Sequence, residues 1–507
     1  VRMRAGVYTA TAGDGHVSLL RGREWGERLG LLAPPELAAL RTLATGWHLE
    51  ADLPAASRPL LHRLHAGGWL DVRHELGGRP LVTVRPLGPH RARTGGGQRT
   101  APTAPAAPGG PGGASASAAP GGAGGASASA APGGAGASAA LGGLGGRVPA
   151  VVPAEPLLSR FAVLRRDGDH LVLESPLASA AVVVHDAAVT ALVHQLAAPA
   201  GEAAGVVDLP PPVVSELVAV LAAHGLVHDA AEERRPDLAG EQWSPHELWF
   251  HARSRGGYHD QPLGGTLWAA GRFDPLPARR ARPPDTTGTR VELAGPEPAV
   301  AAPGPAPGFD ASLDAVLRAR RSIREQDGDR PLTVRQLGEF LHRCARVTQV
   351  AADGRQQVSL RPSPSGGALH GLELYPVVTR VDGLAAGMYH YDPFGHALDP
   401  VCGDGPLVRR LAALAGQASG AAVPQVLLVA SCRFGRVMWK YQGMAYALVL
   451  KDLGALFQTM YLVATAMGLA PCALGCGDVE LFAAATGLDP RVESSVGEFM
   501  LGSRAAR

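Results

Sequence analysis

The chain has 507 residues, 46% hydrophobic and 18% charged, with a formal net charge of +2. That length leaves room for about three domains with real cores, and the near-neutral balance excludes a general polyanion binder. Five cysteines (Cys344, Cys402, Cys432, Cys472 and Cys476) are too few for a disulfide framework and lack the paired spacing of a zinc site. No metal is therefore expected, and free thiols in a reducing cytoplasm are.

From the N-terminus, VYTATAGDGHVSLL alternates around Asp14-Gly15, a hairpin signal. Helices are predicted at 34–45 and 57–66, then a second hairpin over 69–86 that turns at Gly77-Gly78. Residues 94–150 are Ala, Gly, Ser and Pro in repeated ASASAAPGGAG-like units, with nothing to bury, and are expected to be a disordered linker. The outline then recurs: FAVLRRDGDHLVLES turns at Asp167-Gly168, and helices are predicted at 186–197 and 211–223. In each copy the second helix runs to a glycine, Gly67 or Gly225, before a short apolar strand. Strand, helix, helix, strand is a winged-helix-like outline, expected over 1–93 and again over 151–240.

Winged helices often bind nucleic acid, which needs clustered cations. Residues 1–95 hold 13 Arg and 8 acids, 13 − 8 = +5, whereas 155–235 hold 5 Arg and 11 acids, 5 − 11 = −6. No nucleic acid is expected. A peptide added to a sheet edge or laid in a helix groove is the better partner, with two ligand-free packing modules as the plain alternative. Within 241–276, Ser244, Pro245 and Glu247 form a capping box for a helix expected to dock the N-terminal half onto the rest. Residues 277–309, rich in Pro and Ala, read as a semi-stiff tether.

From 310 to 507 the pattern is that of an α+β domain. The helix ASLDAVLRARRS ends in Arg320, Arg321, Ser322, Ile323 and Arg324. Guanidinium forks match phosphate oxygens, although an arginine run also suits a solvated face. Ser363, Pro364, Ser365, Gly366 and Gly367 precede the strand LELYPVVTRV, and the loop Cys472–Asp478 follows a helix stopped by Gly468 and Pro471. Both loops can bring backbone amides close to a flat ligand or a phosphate. No GxGxxG joins a strand to a helix, so a dinucleotide-binding Rossmann site is not supported.

Lys440 and Lys451 stand against 45 arginines. A lysine that persists under such a bias suggests a role arginine cannot fill, because arginine never deprotonates in a protein. Lys440 is followed by Tyr441, after the strand 423–431 and before the long apolar helix. Adjacent helical side chains diverge by about 100°, so the two share a site only at the helix entrance or just before it. There the helix dipole would stabilise an anion. Lys451 is read as a structural ion-pair partner. The helix itself, around 444–470, is interrupted by Lys451, Asp452 and Gln458 and is expected in the core, not in a membrane.

The order RRSIR, PSPSGG-x7-YP, MYHYDP, WKYQ-x3-YAL-x3-D-x-GAL-x-Q and GLAPCALGCGD resembles the SagB-type (ThcOx-like) dehydrogenases, the azoline-oxidising branch of the flavin nitroreductase superfamily. The resemblance covers 310–505 and, more loosely, the segment from 155. It implies a mixed sheet flanked by helices, dimerised through long helices, with one FMN in each of two interfacial sites. Arg320, Arg321, Ser322 and Arg324 would hold the FMN phosphate and ribityl chain, with Arg504 adding to the clamp. Pro364, Ser365, Gly366 and Gly367 would approach from the partner chain, Leu474 and Gly475 would lie against the ring, and the catalytic pair falls on Lys440 and Tyr441. His370 departs from the aromatic or apolar residue found in relatives.

The implied reaction oxidises a peptide thiazoline or oxazoline to the aromatic azole, in thiopeptide or linear azole peptide biosynthesis. Tyr441, aided by the positive charge of Lys440, would remove the ring Cα proton while a hydride leaves Cβ. The partners implied are a precursor peptide and a cyclodehydratase. A generic NAD(P)H-dependent nitroreductase or quinone reductase, and a non-catalytic peptide-binding scaffold, are the rival readings.

Overall fold

The computed structural model describes residues 1–21, 25–87, 152–198, 206–235, 238–257, 259, 261–282, 288–296, 312–352 and 354–505. It divides into two compact units, Val1–Pro245 and His246–Arg507. The linker expected over 94–150 lies outside the described residues.

In the first unit the opening alternation folds as strands Val7–Thr11 and Val17–Arg21, paired across Asp14-Gly15. Gly15 takes a φ of +81°, the left-handed conformation the turn requires. Helices Pro34–Thr45 and Arg58–Ala66 and, later, Ala187–Gln195 and Pro211–Ala223 lie where the apolar periodicity places them. The two segments are nevertheless not separate domains. Strand Arg79–Pro86 pairs antiparallel with Ala180–Val184, Val82 facing Val184 and Pro86 facing Ala180, within one six-stranded sheet. Leu81, Val82 and Val84 share a core with Leu173, Leu192, Leu217 and Leu221. The division into 1–93 and 151–240 is corrected accordingly. Pairing between strands from distant segments is a tertiary event, and local alternation carries no sign of it.

The second unit is built on a seven-stranded sheet of β1 (Val291–Glu292), β2 (Leu372–Val378), β3 (Gly387–Asp392), β4 (Ala397–Gly403), β5 (Val426–Arg433), β6 (Leu469–Leu474) and β7 (Glu493–Ser503), in the order β1-β4-β3-β2-β5-β7-β6. Every neighbouring pair in it is antiparallel. The expected mixed sheet is thus corrected; among the described residues, parallel pairing is confined to Leu332–Thr333 with Val381–Asp382. A strand such as β5, buried at every position, reads alike in either direction.

Helices cover both faces. Helices α1 (Leu313–Ala319), α2 (Val334–Ala345) and α4 (Ala445–Ala466) lie on one side, and α3 (Pro406–Ser419) and α5 (Val479–Thr486) on the other. Alternate residues of β5 serve the two cores: Leu428 and Ala430 meet α2 and α4, while Leu427 and Val429 meet α3 and α5. Helix α4 is long and apolar enough to cross a membrane by composition alone, but Val449, Leu453, Leu456, Met460 and Val463 are buried in the core of the unit. It is the core helix its interrupting polar residues implied.

The segment expected as a tether is partly structural. β1 pairs with β4, and Arg290 reaches Asp392 at 2.8 Å and Asp399 at 3.0 Å. Both carboxylates are more than nine-tenths buried and need such partners. Burial alone would raise the Asp392 carboxyl, yet hydrogen bonds from Arg290 and Arg279 bring it down to about 2. A proline-rich composition shows only that a segment lacks its own core. It does not show that the segment lacks partners elsewhere.

Candidate active site

Beyond β5 the chain makes a short helix, Phe434–Met438, and reaches α4 at Ala445. Lys440 and Tyr441 fall in the non-helical turn between them. Arg436, fully buried, anchors that turn by donating to the carbonyls of Leu276 (2.7 Å), Gln357 (2.7 Å) and Leu369 (2.6 and 3.1 Å). Burial lowers its guanidinium to about 10.

The segment 262–276 holds the turn from the other side. Gly264 and Gln442 exchange backbone hydrogen bonds at 3.1 and 3.0 Å, and the Leu267 N–H donates to Lys440 O at 3.0 Å. Two indoles complete the clasp: Trp268 Nε1 donates to Met438 O at 2.5 Å and Trp439 Nε1 to Phe273 O at 2.7 Å. Lys440 Nζ stands 5.6 Å from the centre of the Tyr441 ring, and both side chains are half-buried.

Against this pair sits the glycine loop. A Cβ placed on Gly367 would lie 2.9 Å from Tyr441 Oη and 3.3 Å from Lys440 Nζ, and the residue has a φ of +65°. Glycine is favoured there both by space and by conformation. The loop is tied down by Asp452 of α4, which accepts from Ser365 Oγ at 2.7 Å and from the Gly366 N–H at 3.0 Å. Burial raises the Asp452 carboxyl, and these hydrogen bonds act in the opposite direction. Ala368 and His370 also have positive φ, 55° and 45°. Such backbone costs about 1–3 kcal/mol per residue and persists only where its surroundings impose it. The His370 N–H donates to Ser365 Oγ at 3.0 Å. Burial, with Arg361 and Arg436 nearby, pushes the His370 imidazole down to about 4, so it is a neutral residue packed behind the loop.

The remaining candidates gather toward the other end of α4. The Ile323 N–H donates to Pro471 O at 2.8 Å, which lays the arginine segment along β6. Tyr461 of α4 joins the two: its Oη is 2.8 Å from Ser322 Oγ and accepts from the Ala473 N–H at 2.8 Å. The Arg320 guanidinium lies 5.3 Å from the centre of the Tyr461 ring. Arg321 folds back to donate to Arg318 O and Arg320 O, at 2.8 and 2.7 Å. Burial raises the Cys472 thiol, opposed by the charge of Arg324 close by. Leu474 and Gly475 close β6, and a Cβ on Gly475 would meet nothing within 4 Å. Arg504 follows Ser503, which faces Leu469 and accepts from the Asp327 N–H at 3.1 Å. Arg504 therefore sits beside the Leu469 end of β6, Arg324 beside Cys472, and Gly475 just beyond the Leu474 end.

Within one chain, then, the predicted residues form two clusters. Lys440, Tyr441, Pro364, Ser365, Gly366 and Gly367 surround Asp452; Arg320, Arg321, Ser322, Arg324, Leu474, Gly475 and Arg504 surround Tyr461 and β6. Asp452 and Tyr461 are nine residues apart, a rise of about 13 Å along the helix. Three residues that matter to this geometry were not among the expected site: Asp452, Tyr461 and Arg436. Asp452 left one signal, an acid inside an apolar helix. The exposed arginine segment has the donors a phosphate needs, and the open surface at Gly475 and the cradle at Gly366-Gly367 leave backbone accessible to a planar ring. These residues fit FMN.

The nitroreductase family profile matches residues 317–503. MJ1384 of Methanocaldococcus jannaschii, a protein described as a nitroreductase, is 30% identical over 163 residues, 32% of this chain and 78% of that protein. The chain belongs to the nitroreductase family. The oxidoreductase domain thus lies within the second unit, and four of the five sequence motifs fall in the two clusters just described, while MYHYDP lies apart on β3. The profile of the cyanobactin oxidase ThcOx matches residues 157–260, upstream of the nitroreductase domain. The microcin B17-processing protein McbC of Escherichia coli is 34% identical over 115 residues, 22% of this chain and 42% of McbC. The E. coli microcin synthetase McbBCD complex with truncated pro-MccB17 bound contains a chain of 20% identity that aligns over 54% of this one and 100% of its own length, with a TM-score of 0.33.

Proposed function

We propose that this nitroreductase-family enzyme binds FMN and oxidises thiazolines or oxazolines in a ribosomal precursor peptide to thiazoles or oxazoles. The observation that carries the reading is the Lys440-Tyr441 pair, clasped in a non-helical turn and pressed against Gly367, whose left-handed backbone and close neighbours favour glycine. The similarity to ThcOx and to a microcin-processing protein supports a peptide substrate.

FMN, when bound, supplies a two-electron acceptor able to take a hydride. The chain's own residues do the rest. Tyr441 Oη takes the proton from the azoline ring Cα, which the adjacent carbonyl and imine acidify. Lys440 Nζ, beside it, offsets the negative charge that Tyr441 acquires or that develops on the substrate. Trp268 and Trp439 keep the turn rigid, so that the two groups stay aligned through the proton transfer. Arg320, Arg321, Ser322, Arg324 and Arg504 would hold the phosphate and ribityl chain, and Leu474 and Gly475 would face the ring.

One chain places its two clusters at separate levels of α4, and a twofold dimer built through this helix would bring one cluster from each copy to a shared cofactor. Leu313, Leu317 and Leu450, which are 65%, 49% and 37% exposed on α1 and α4, give that dimer an apolar face. The precursor peptide would arrive already cyclised by a cyclodehydratase.

The test combines absorbance and mass spectrometry. Purified protein should be yellow and should remove one H₂ per ring from an azoline-bearing peptide. Lys440→Ala and Tyr441→Phe should keep the flavin spectrum while turnover falls by about 10²–10⁴-fold. Colourless variants would make the pair cofactor ligands, and a wild type that reduces quinones with NADPH yet leaves azolines untouched would make the enzyme a general reductase.

A further inference from the structure

The site as described leaves one buried carboxyl unused. Glu498 of β7 faces Leu474 on β6 and Val429 on β5 and is 7% exposed. Other buried acids of this unit are engaged: Glu373 with His390 at 3.0 Å, Glu493 with Tyr375 at 2.7 Å and Ser431 at 2.8 Å, and Asp452 with Ser365. The side-chain carboxyl of Glu498 has neither a hydrogen bond nor an ion pair among the described residues. Its carboxyl lies against Gly477, where an added Cβ would overlap it. The loop 474–478 is therefore wrapped around an acid, and the same loop presents Leu474 and Gly475.

We propose that Glu498 is a positioning residue whose buried carboxyl, packed against Gly477, props the 474–478 loop in the shape that receives the flavin ring. The proposal rests on the reading that this loop receives FMN. An isolated carboxylate in such a place is costly, and the group protonates instead. Burial pushes the Glu498 carboxyl up to about 7. Nothing around it favours the ionised form. β5 presents Leu428, Val429 and Ala430 at this level. The titratable groups on the other elements of this face are Cys472 on β6, Cys476 and Asp478 in the loop, Glu480 on α5 and Tyr375 on β2, which bonds Glu493; the cations of α3, Arg409 and Arg410, are exposed at the surface, Arg409 paired with Asp404. Asp478 is occupied as the cap of α5, accepting from the Leu481 N–H at 2.8 Å.

Once ionised, Glu498 gains fuller hydration when the loop lifts away from it. A loop that carries a ligand resists lifting, so binding favours the protonated acid and weakens as pH rises through the neutral range.

The experiment is an FMN titration of the full chain by quenching of flavin fluorescence, from about pH 5.5 to about pH 8.5, an interval that brackets the Glu498 transition well above the ordinary carboxyl range. Wild type should lose about tenfold in affinity across the interval, the effect of one unit of displacement in the Glu498 titration on binding. Glu498→Gln should vary by less than about twofold beyond a control buffer series, and Glu498→Asp, which keeps a carboxyl, should retain the slope. The Gln variant preserves the other ionisable groups of the protein and the FMN phosphate, so the difference between the two curves isolates Glu498. A Gln variant with the wild-type slope, or a wild type with none, overturns the proposal while leaving the flavin reading intact. No binding by wild type at any pH overturns both.

Discussion

At the N-terminal end of α4, Lys440 and Tyr441 are gripped by backbone pairing with 264–267, by two indole hydrogen bonds and by the glycine loop that Asp452 anchors. Toward its C-terminal end, Arg321, Ser322 and Arg324 lie exposed on a segment without regular structure, and Arg321 is turned back on its own carbonyls. Under the proposed function, the two regions would differ because their tasks differ. Groups that move protons must be aligned before the substrate arrives. A phosphate clamp can be completed by its ligand, since long guanidinium arms reorganise at small cost and the anion supplies the charge that orders them.

That contrast yields variants of unequal effect. Gly367→Ala attacks the rigid end directly, because the new methyl would sit against Tyr441 Oη and oppose the left-handed backbone. Single-turnover azoline oxidation should slow by about 100-fold, the scale of a misplacement near 1 Å, with little change in FMN content. Arg324→Ala probes the adaptable end, where loss of one charge-assisted contact should weaken FMN by about tenfold in Kd and leave the rate of the loaded enzyme nearly constant. If Gly367→Ala lost cofactor and Arg324→Ala lost rate, the division of labour would be reversed.

The smallest effect concerns stability. The Glu498 carboxyl is raised from 4.5 to about 7 by burial, so its favourable contribution is complete below about pH 4.5 and disappears as pH rises through about 7. Glu498→Gln removes that loss. Its Tm should match wild type in acid and exceed it by a few degrees above pH 7, read by thermal melts at a series of pH values. Equal melting at both ends would place the acid in water.

Much of the candidate site was legible because its residues are chemically distinctive. Clustered arginines, paired glycines before a strand, and a Lys-Tyr couple in an arginine-biased chain can each be noticed singly. Asp452, Tyr461 and Arg436 escaped because their roles exist only in the fold: an acid on a helix binds a loop 86 residues earlier, a phenol bridges two segments, and a guanidinium collects three distant carbonyls. The same holds for architecture. Helices Pro34–Thr45, Pro211–Ala223 and Ala445–Ala466 follow from apolar periodicity, whereas the union of the two N-terminal segments in one sheet and the anchoring of Arg290 do not.

Local chemistry and periodicity were therefore written in the chain: which stretches are helices, where turns need glycine, and which side chains can bind phosphate or move a proton. Tertiary structure alone decided strand partners and directions, the separation of the candidate residues along α4, and the burial of Glu498 under Gly477. The reason is physical. Helix periods, turn conformations and ionisable groups are properties of a few neighbouring residues, but pairing and desolvation depend on which distant atoms displace water.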